Sequence, residues 1–217
     1  MKKNVLLLFN FSTIIVSSFA QTVSKRKRNL FFKSRAEVGI LYFTILFSVL
    51  FLSSAAQKLP TDGEQFFDYK ILKQNKASIV VFFDPECPIC QKYTKNLTEL
   101  DKKYGIEGIK TYIVYPFKVL EKSSLAEFRE EYKFDLPIIF DAKRKLLKKL
   151  KGNYSPEVFL LDNKRKTLYH GAIDNWFYGL GRNRATPTEF YLLDAIANYK
   201  KGEAIKVKFV EPVGCLL

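Results

Sequence analysis

The segment from Ser78 to Cys90, SIVVFFDPECPIC, constrains this chain more than any other. Ser78–Phe83 is a short, mostly apolar run rich in β-branched and aromatic residues, which reads as a buried strand. Asp84-Pro85-Glu86 breaks it. Pro88 suits the first turn of a helix, where no backbone N–H is needed. Ile89, Tyr93, Leu97, Leu100 and Tyr104 then recur near helical spacing, and Gly105 and Gly108 close the pattern. A buried strand passing straight into a helix calls for an α/β architecture, and it sets Cys87 and Cys90 at the junction.

The rest of the chain agrees. Ile109–Tyr115 and Pro137–Phe140 read as further strands, with helices over Ser123–Tyr132 and Lys143–Leu150. Glu157–Leu161 and Thr167–His170 flank Asp162-Asn163-Lys164-Arg165-Lys166, a hairpin signal. Thr186-Pro187 opens a last helix over Thr188–Lys200, ended by Gly202, and Ala204–Val210 is a further strand candidate. The order β-α-β-α-β-α-β-β-α implies a largely parallel sheet covered on both faces, with the hairpin as an antiparallel edge.

The chemistry centres on Cys87-Pro88-Ile89-Cys90. A thiol at a helix N-terminus faces unpaired N–H groups and the positive end of the helix dipole. Both favour thiolate and make the sulfur nucleophilic. Cys90 lies one turn on and on the same face, within disulfide reach, so Cys87 can attack and Cys90 can resolve the mixed disulfide. Two other readings compete: a structural disulfide, which would close too short a loop to stabilise much, and a copper or zinc site of Cys87, Cys90 and His170. With one histidine and three cysteines, sites needing several imidazoles or four thiolates are excluded. Glu86, directly before Cys87, is expected to oppose its ionisation, which leaves the direction of electron flow open.

The stretches VVFFDPECPIC, LPIIFD and YSPEVFLLDNKRKTLYHGAID resemble the thioredoxin superfamily, and more closely its TlpA-like and redoxin (AhpC/TSA) branch, over about residues 75–202. The resemblance implies a three-layer α/β sandwich with a mixed central sheet. It implies catalysis by Cys87 and Cys90 with no cofactor and no metal. Ser155 and Pro156 would position the substrate, the Ser155–Pro156 bond being cis and its backbone pairing with a cysteine-bearing strand of a partner protein. Asp162, Tyr169, Gly171 and Asp174 fit as turn and packing residues. There are departures. Glu86 stands where thioredoxins carry Trp, and Val81 where they carry a buried acid. Asp84 occupies the position at which a peroxidatic centre requires Thr, which disfavours peroxidase activity. Cys215, near the C-terminus, is either a spare thiol or an additional redox cysteine that visits the Cys87–Cys90 centre or an external partner.

The N-terminus carries the address. Apolar runs cover Asn4–Ser24 and Val38–Gln57, with Lys25-Arg26-Lys27-Arg28 between them. The second has the length and apolarity to span a bilayer and the first is borderline, so a cleaved signal, an uncleaved anchor and a hairpin of two spans all fit. Both end in small residues, as signal peptides do. Residues 1–58 hold nine Lys/Arg against Glu37 alone, so +8 of the formal +14 charge lies beside these runs. That distribution fits a positive-inside signal and argues against nucleic acid. Residues 1–58 are therefore expected to form a signal or membrane-anchor region. A thioredoxin-like domain follows over 59–202, on the extracytoplasmic side and acting on protein thiols or disulfides, and 203–217 form an extension. The rival functions are a copper chaperone and a redoxin-type peroxidase.

Overall fold

The computed structural model describes residues 58–62, 66–118 and 121–217. The elements in chain order are β1 (Lys58–Pro60), β2 (Phe66–Asp68), a 3-10 turn (Tyr69–Gln74), β3 (Ala77–Phe82), α1 (Pro88–Gly105), β4 (Ile109–Tyr115), α2 (Lys122–Tyr132), β5 (Ile138–Phe140) and α3 (Lys145–Leu150). There follow β6 (Tyr154–Ser155), β7 (Glu157–Asp162), β8 (Thr167–Gly171), β9 (Phe177–Gly179), β10 (Arg182–Asn183), α4 (Tyr191–Lys201), β11 (Phe209–Val210) and β12 (Cys215–Leu216). The N-terminal apolar anchor expected over residues 38–57 lies outside the described residues. Among the described residues no helix is long and apolar enough to cross a membrane.

The main sheet has six strands in the order β11-β8-β7-β3-β4-β5. β3, β4 and β5 are parallel neighbours, whereas β7 runs antiparallel to β3 and to β8. All six residues of β3 are buried. Its alternate side chains feed two cores: Ile79 and Val81 join one with Leu97, Phe128 and Ile196, and Val80 and Phe82 join another with Leu72, Leu146 and Leu147. The continuous apolar run is thus explained by helices covering both faces. Right-handed crossovers from β3 to β4 to β5 put α1 and α2 on one face, and the return past β3 to β7 puts α3 on the other. The strand order reverses at β3, so the crevice beyond its carboxyl end is the natural place for a site. Cys87 follows there.

Three sequence expectations are corrected. The hairpin β7–β8 is not an edge. β7 pairs with β3 along its whole length, from Ala77 opposite Asp162 to Phe82 opposite Glu157, because the second edge of a fully buried strand must also find hydrogen-bond partners. The edge beyond β8 is taken by β11, in parallel register. The strand expected over Ala204–Val210 shrinks to Phe209–Val210, and Val207, upstream of it, is 55% exposed. The last helix starts at Tyr191 rather than Thr188, because the backbone N–H groups of Thr188 and Glu189 both donate to Asn175 Oδ1.

α3 depends on one buried acid. Asp141 is fully buried, and its carboxylate accepts from the N–H of Lys145 at 2.8 Å and of Leu147 at 2.9 Å. Asp141→Ala strands both donors, so it is expected to cost about 2 kcal/mol or more. Urea unfolding checks this, and an unchanged midpoint would show that water replaces the carboxylate freely.

Candidate active site

Asp84–Cys87 forms the turn that leaves β3. Cys87 N donates to Asp84 O at 3.0 Å, and Glu86 N donates to Asp84 Oδ1 at 3.0 Å. Cys87 is the N-cap of α1 and Pro88 its first residue. Gln91 Nε2 reaches back to Pro85 O at 2.8 Å, tying the turn to the helix. One turn further along α1, Tyr93 donates its hydroxyl to Asp174 Oδ1 at 2.5 Å, and Trp176 and Phe177 pack against its ring. Asp174, Trp176 and Phe177 thereby brace the helix that carries the sulfurs.

The segment around Ser155 comes from a different part of the chain. The Ser155–Pro156 peptide bond is cis, and both residues are buried. Ser155 meets both cysteines: its carbonyl lies 3.2 Å from Cys87 Sγ and its hydroxyl 3.1 Å from Cys90 Sγ. Sequence reasoning missed the residue that shapes this loop. Glu157, 2% exposed, accepts through Oε2 from the N–H of Asn153 at 2.7 Å and of Tyr154 at 3.1 Å. A lone acid opening the apolar run Val158–Leu161 was the available signal.

Cys87, Cys90 and Cys215 form one electrostatic unit. The Cys87 pKa is lowered to about 5. The largest cause is the Cys90 thiol donating to its sulfur. A hydrogen bond from the Cys215 thiol and the backbone N–H groups of Cys90 and Cys215 add to this, all against the cost of burial. The Cys90 thiol is pushed well up, first by complete burial and then by the negative charge on Cys87. Cys215 is raised to about 12, again by burial first and Cys87 second. One negative charge thus sits on Cys87 while its neighbours stay protonated around it. The expected opposition from Glu86 does not prevail, because that side chain is exposed and its field is screened by water. Asp84 is the carboxyl that senses the thiolate. Its pKa is raised, mainly by burial, with charge from Glu86 and Cys87 adding to the rise.

Cys215 sits at this centre: Cys215 Sγ lies 2.6 Å from Cys87 Sγ. The Cys87 sulfur is consequently covered, and Cys87 is 2% exposed rather than open to solvent as a nucleophile at a helix tip would be. His170 is elsewhere. Its ring stacks on Phe159 and tilts against Phe209, with Nδ1 3.6 Å from Glu157 Oε1. A Cys87/Cys90/His170 metal site is therefore not assembled. Among the described residues, no group of three or more His, Cys, Asp or Glu side chains is placed to hold a metal ion.

Comparison with known proteins adds the ancestry. The family model described as the AhpC/TSA family matches residues 55–170, a span that includes Cys87, Cys90, Ser155 and Pro156 and stops before Cys215. No curated protein sequence matches the chain. Among solved structures, a hypothetical protein from Sinorhizobium meliloti superposes with a TM-score of 0.64 at 23% identity, covering 75% of this chain and 90% of its own. An uncharacterized conserved protein from Geobacillus kaustophilus gives 0.62 at 17% identity, covering 74% and 89%. A secreted disulfide oxidoreductase of Mycobacterium tuberculosis gives 0.46 at 13% identity, covering 68% and 96%. The first two share the fold.

Proposed function

Because the chain belongs to the AhpC/TSA family, the redoxin branch of the thioredoxin superfamily, we propose that it is a thiol–disulfide oxidoreductase working through Cys87 and Cys90. The reading is carried by the Cys87 sulfur at the N-terminus of α1, held as a thiolate by the thiol of Cys90. The thiolate attacks one sulfur of a substrate disulfide, and the other leaves as a thiol after taking a proton. Cys90 then loses its proton and attacks Cys87 Sγ, which releases the second substrate thiol and leaves a Cys87–Cys90 disulfide. The substrate gains two electrons and the protein loses two. Run backwards, the same steps oxidise a dithiol. The Ser155 hydroxyl, 3.1 Å from Cys90 Sγ, is placed to hydrogen-bond the Cys90 thiolate as it forms. Pro156 fixes the loop on the substrate side.

Substrates are protein thiols or disulfides, and the reaction takes place outside the cytoplasmic membrane. The two apolar runs and the basic cluster at 25–28 support that address. The test uses the full chain in detergent. The reduced protein is expected to turn over insulin disulfides in the presence of dithiothreitol and to equilibrate a Cys87–Cys90 disulfide with glutathione. Peroxide consumption without disulfide turnover would overturn the reading in favour of a peroxidase. Stoichiometric tight Cu(I) binding without turnover would overturn it in favour of a copper carrier.

A further inference from the structure

We propose that the C-terminal segment is an internal substrate: it occupies the strand edge beside Cys87, and Cys215 exchanges with the Cys87–Cys90 disulfide to form Cys87–Cys215. The proposal rests on the oxidoreductase reading and gives that reading a third sulfur.

The tail is docked at successive points. β11 runs parallel to β8, with His170 N donating to Lys208 O at 3.0 Å and Ala172 N donating to Val210 O at 2.9 Å. Pro212 is buried, and Val213 and Cys215 pack against the core on the α1 face. β12 then pairs antiparallel with β6, setting Cys215 opposite Ser155 and Leu216 opposite Tyr154. Leu217 N closes the register on Asn153 O at 2.9 Å, and the Leu217 side chain joins the core on the other face. Gly214 is where the fit is tightest. A Cβ there would stand 2.4 Å from Ser155 O and 2.8 Å from its carbonyl carbon. Only glycine lets the tail come this close to the Ser155–Pro156 loop.

This edge is where an incoming chain must lie to present a sulfur to Cys87, because Ser155 O is itself 3.2 Å from Cys87 Sγ. The tail fills it and delivers a sulfur to 2.6 Å. Two consequences follow. An external substrate must first displace β12. The oxidised pair also has an internal exchange partner: Cys215 gives up its proton, its thiolate attacks Cys87 Sγ, the Cys87–Cys90 bond breaks, and Cys90 leaves as a thiolate and takes up that proton. One disulfide and one thiol enter and one of each leave, so the step needs no outside oxidant or reductant.

The test uses the full chain in detergent, oxidised with glutathione, acid-quenched, alkylated and peptide-mapped. In Cys90→Ser, Cys87 is expected to appear cross-linked to Cys215 at least about tenfold more often than to glutathione at about 1 mM. A tethered thiol acts at an effective concentration of about 10 mM or more. Gly214→Ala, which keeps all three cysteines, is expected to raise the rate at which reduced protein attacks insulin by about tenfold. That is the gain expected if the edge is free only about a tenth of the time. An alkylatable Cys215 beside a glutathionylated Cys87, or an unchanged rate in Gly214→Ala, overturns the proposal. Cys215→Ser separates the two levels. If it still forms Cys87–Cys90 and turns over insulin while the other variants fail as described, only the tail proposal falls. If it forms no Cys87–Cys90 disulfide and has no turnover, the oxidoreductase reading falls and takes the tail proposal with it.

Discussion

Cys87→Ser is expected to lower disulfide turnover at least about a thousandfold, with the fold intact. The reason is chemical rather than structural. A thiolate with a pKa near 5 is fully formed at neutral pH, whereas a serine hydroxyl at the same place stays protonated and cannot attack sulfur. The hydroxyl is smaller than the thiol and still accepts the hydrogen bonds from Cys90 and Cys215, so packing around a residue only 2% exposed changes little. Circular dichroism should match that of the unmodified protein, whereas the melting temperature of the reduced protein should fall at neutral pH, because the serine hydroxyl lacks the stabilisation that a thiolate with a lowered pKa contributes there. Cys90→Ser combined with Cys215→Ser should also stop turnover, but at a different step: Cys87 still attacks, no neighbouring thiol resolves the product, and the mixed disulfide then accumulates where mass spectrometry can see it. The pair of variants gives the order of attack. Turnover by Cys87→Ser within tenfold of the parent would sink the assignment of Cys87 as nucleophile.

What could be read from the residues divides by distance along the chain. The junction of β3 and α1 was legible because everything that builds it lies between Ile79 and Tyr104: an apolar run, a break, a proline and a helical stripe. The layered α/β class followed from the alternation of such local signals. The sheet order was less legible. The residues of β7 say that it is buried, but not that it takes the open edge of β3, which is decided by two segments about eighty residues apart meeting in register. The site divides the same way. The lowered pKa of Cys87 was foreseen in direction from the helix terminus, but its largest cause is the thiol of Cys90. The expected opposition from Glu86 failed because exposure is a tertiary property. Cys215 was legible as a spare thiol or an additional redox cysteine, but not as a neighbour of Cys87. Its contact with Cys87 spans 128 positions and depends on Gly214, whose need for a missing Cβ becomes visible only when the Ser155 carbonyl is seen behind it. Glu157 was passed over for a similar reason: its two backbone partners lie upstream, in a loop with no regular pattern.

The second large effect is on the redox couple, and its sign follows from the same thiolate. Reducing a disulfide to two protonated thiols takes up two protons, and the potential then falls by about 59 mV per pH unit; with one thiolate retained, only one proton is taken up and the slope halves to about 30 mV. Cys87, with its pKa lowered to about 5, keeps its charge above that pH, while burial holds Cys90 protonated. A plot of the Cys87–Cys90 potential against pH should therefore run at about 30 mV per unit from pH 8 down to about 5 and steepen below. At pH 7 the solution lies about two units above the Cys87 pKa of about 5, which favours the reduced form by roughly 3 kcal/mol. The potential is then about 60 mV less negative than for the same pair with ordinary thiols, roughly a hundredfold in the equilibrium with glutathione. Stability moves the same way. A depressed folded pKa contributes stability that is present above the unfolded value near pH 9 and is lost as pH falls through about 5. The disulfide form has no thiolate to protonate, so the reduced protein should lose stability relative to the oxidised one over that window. Cys90→Ala removes the largest contributor to the shift, and the midpoint of Cys87 alkylation by iodoacetamide should rise by about one unit or more. A midpoint near 8 in the parent protein would mean that Cys87 is an ordinary thiol, and the predicted break in the potential at pH 5 would be absent with it.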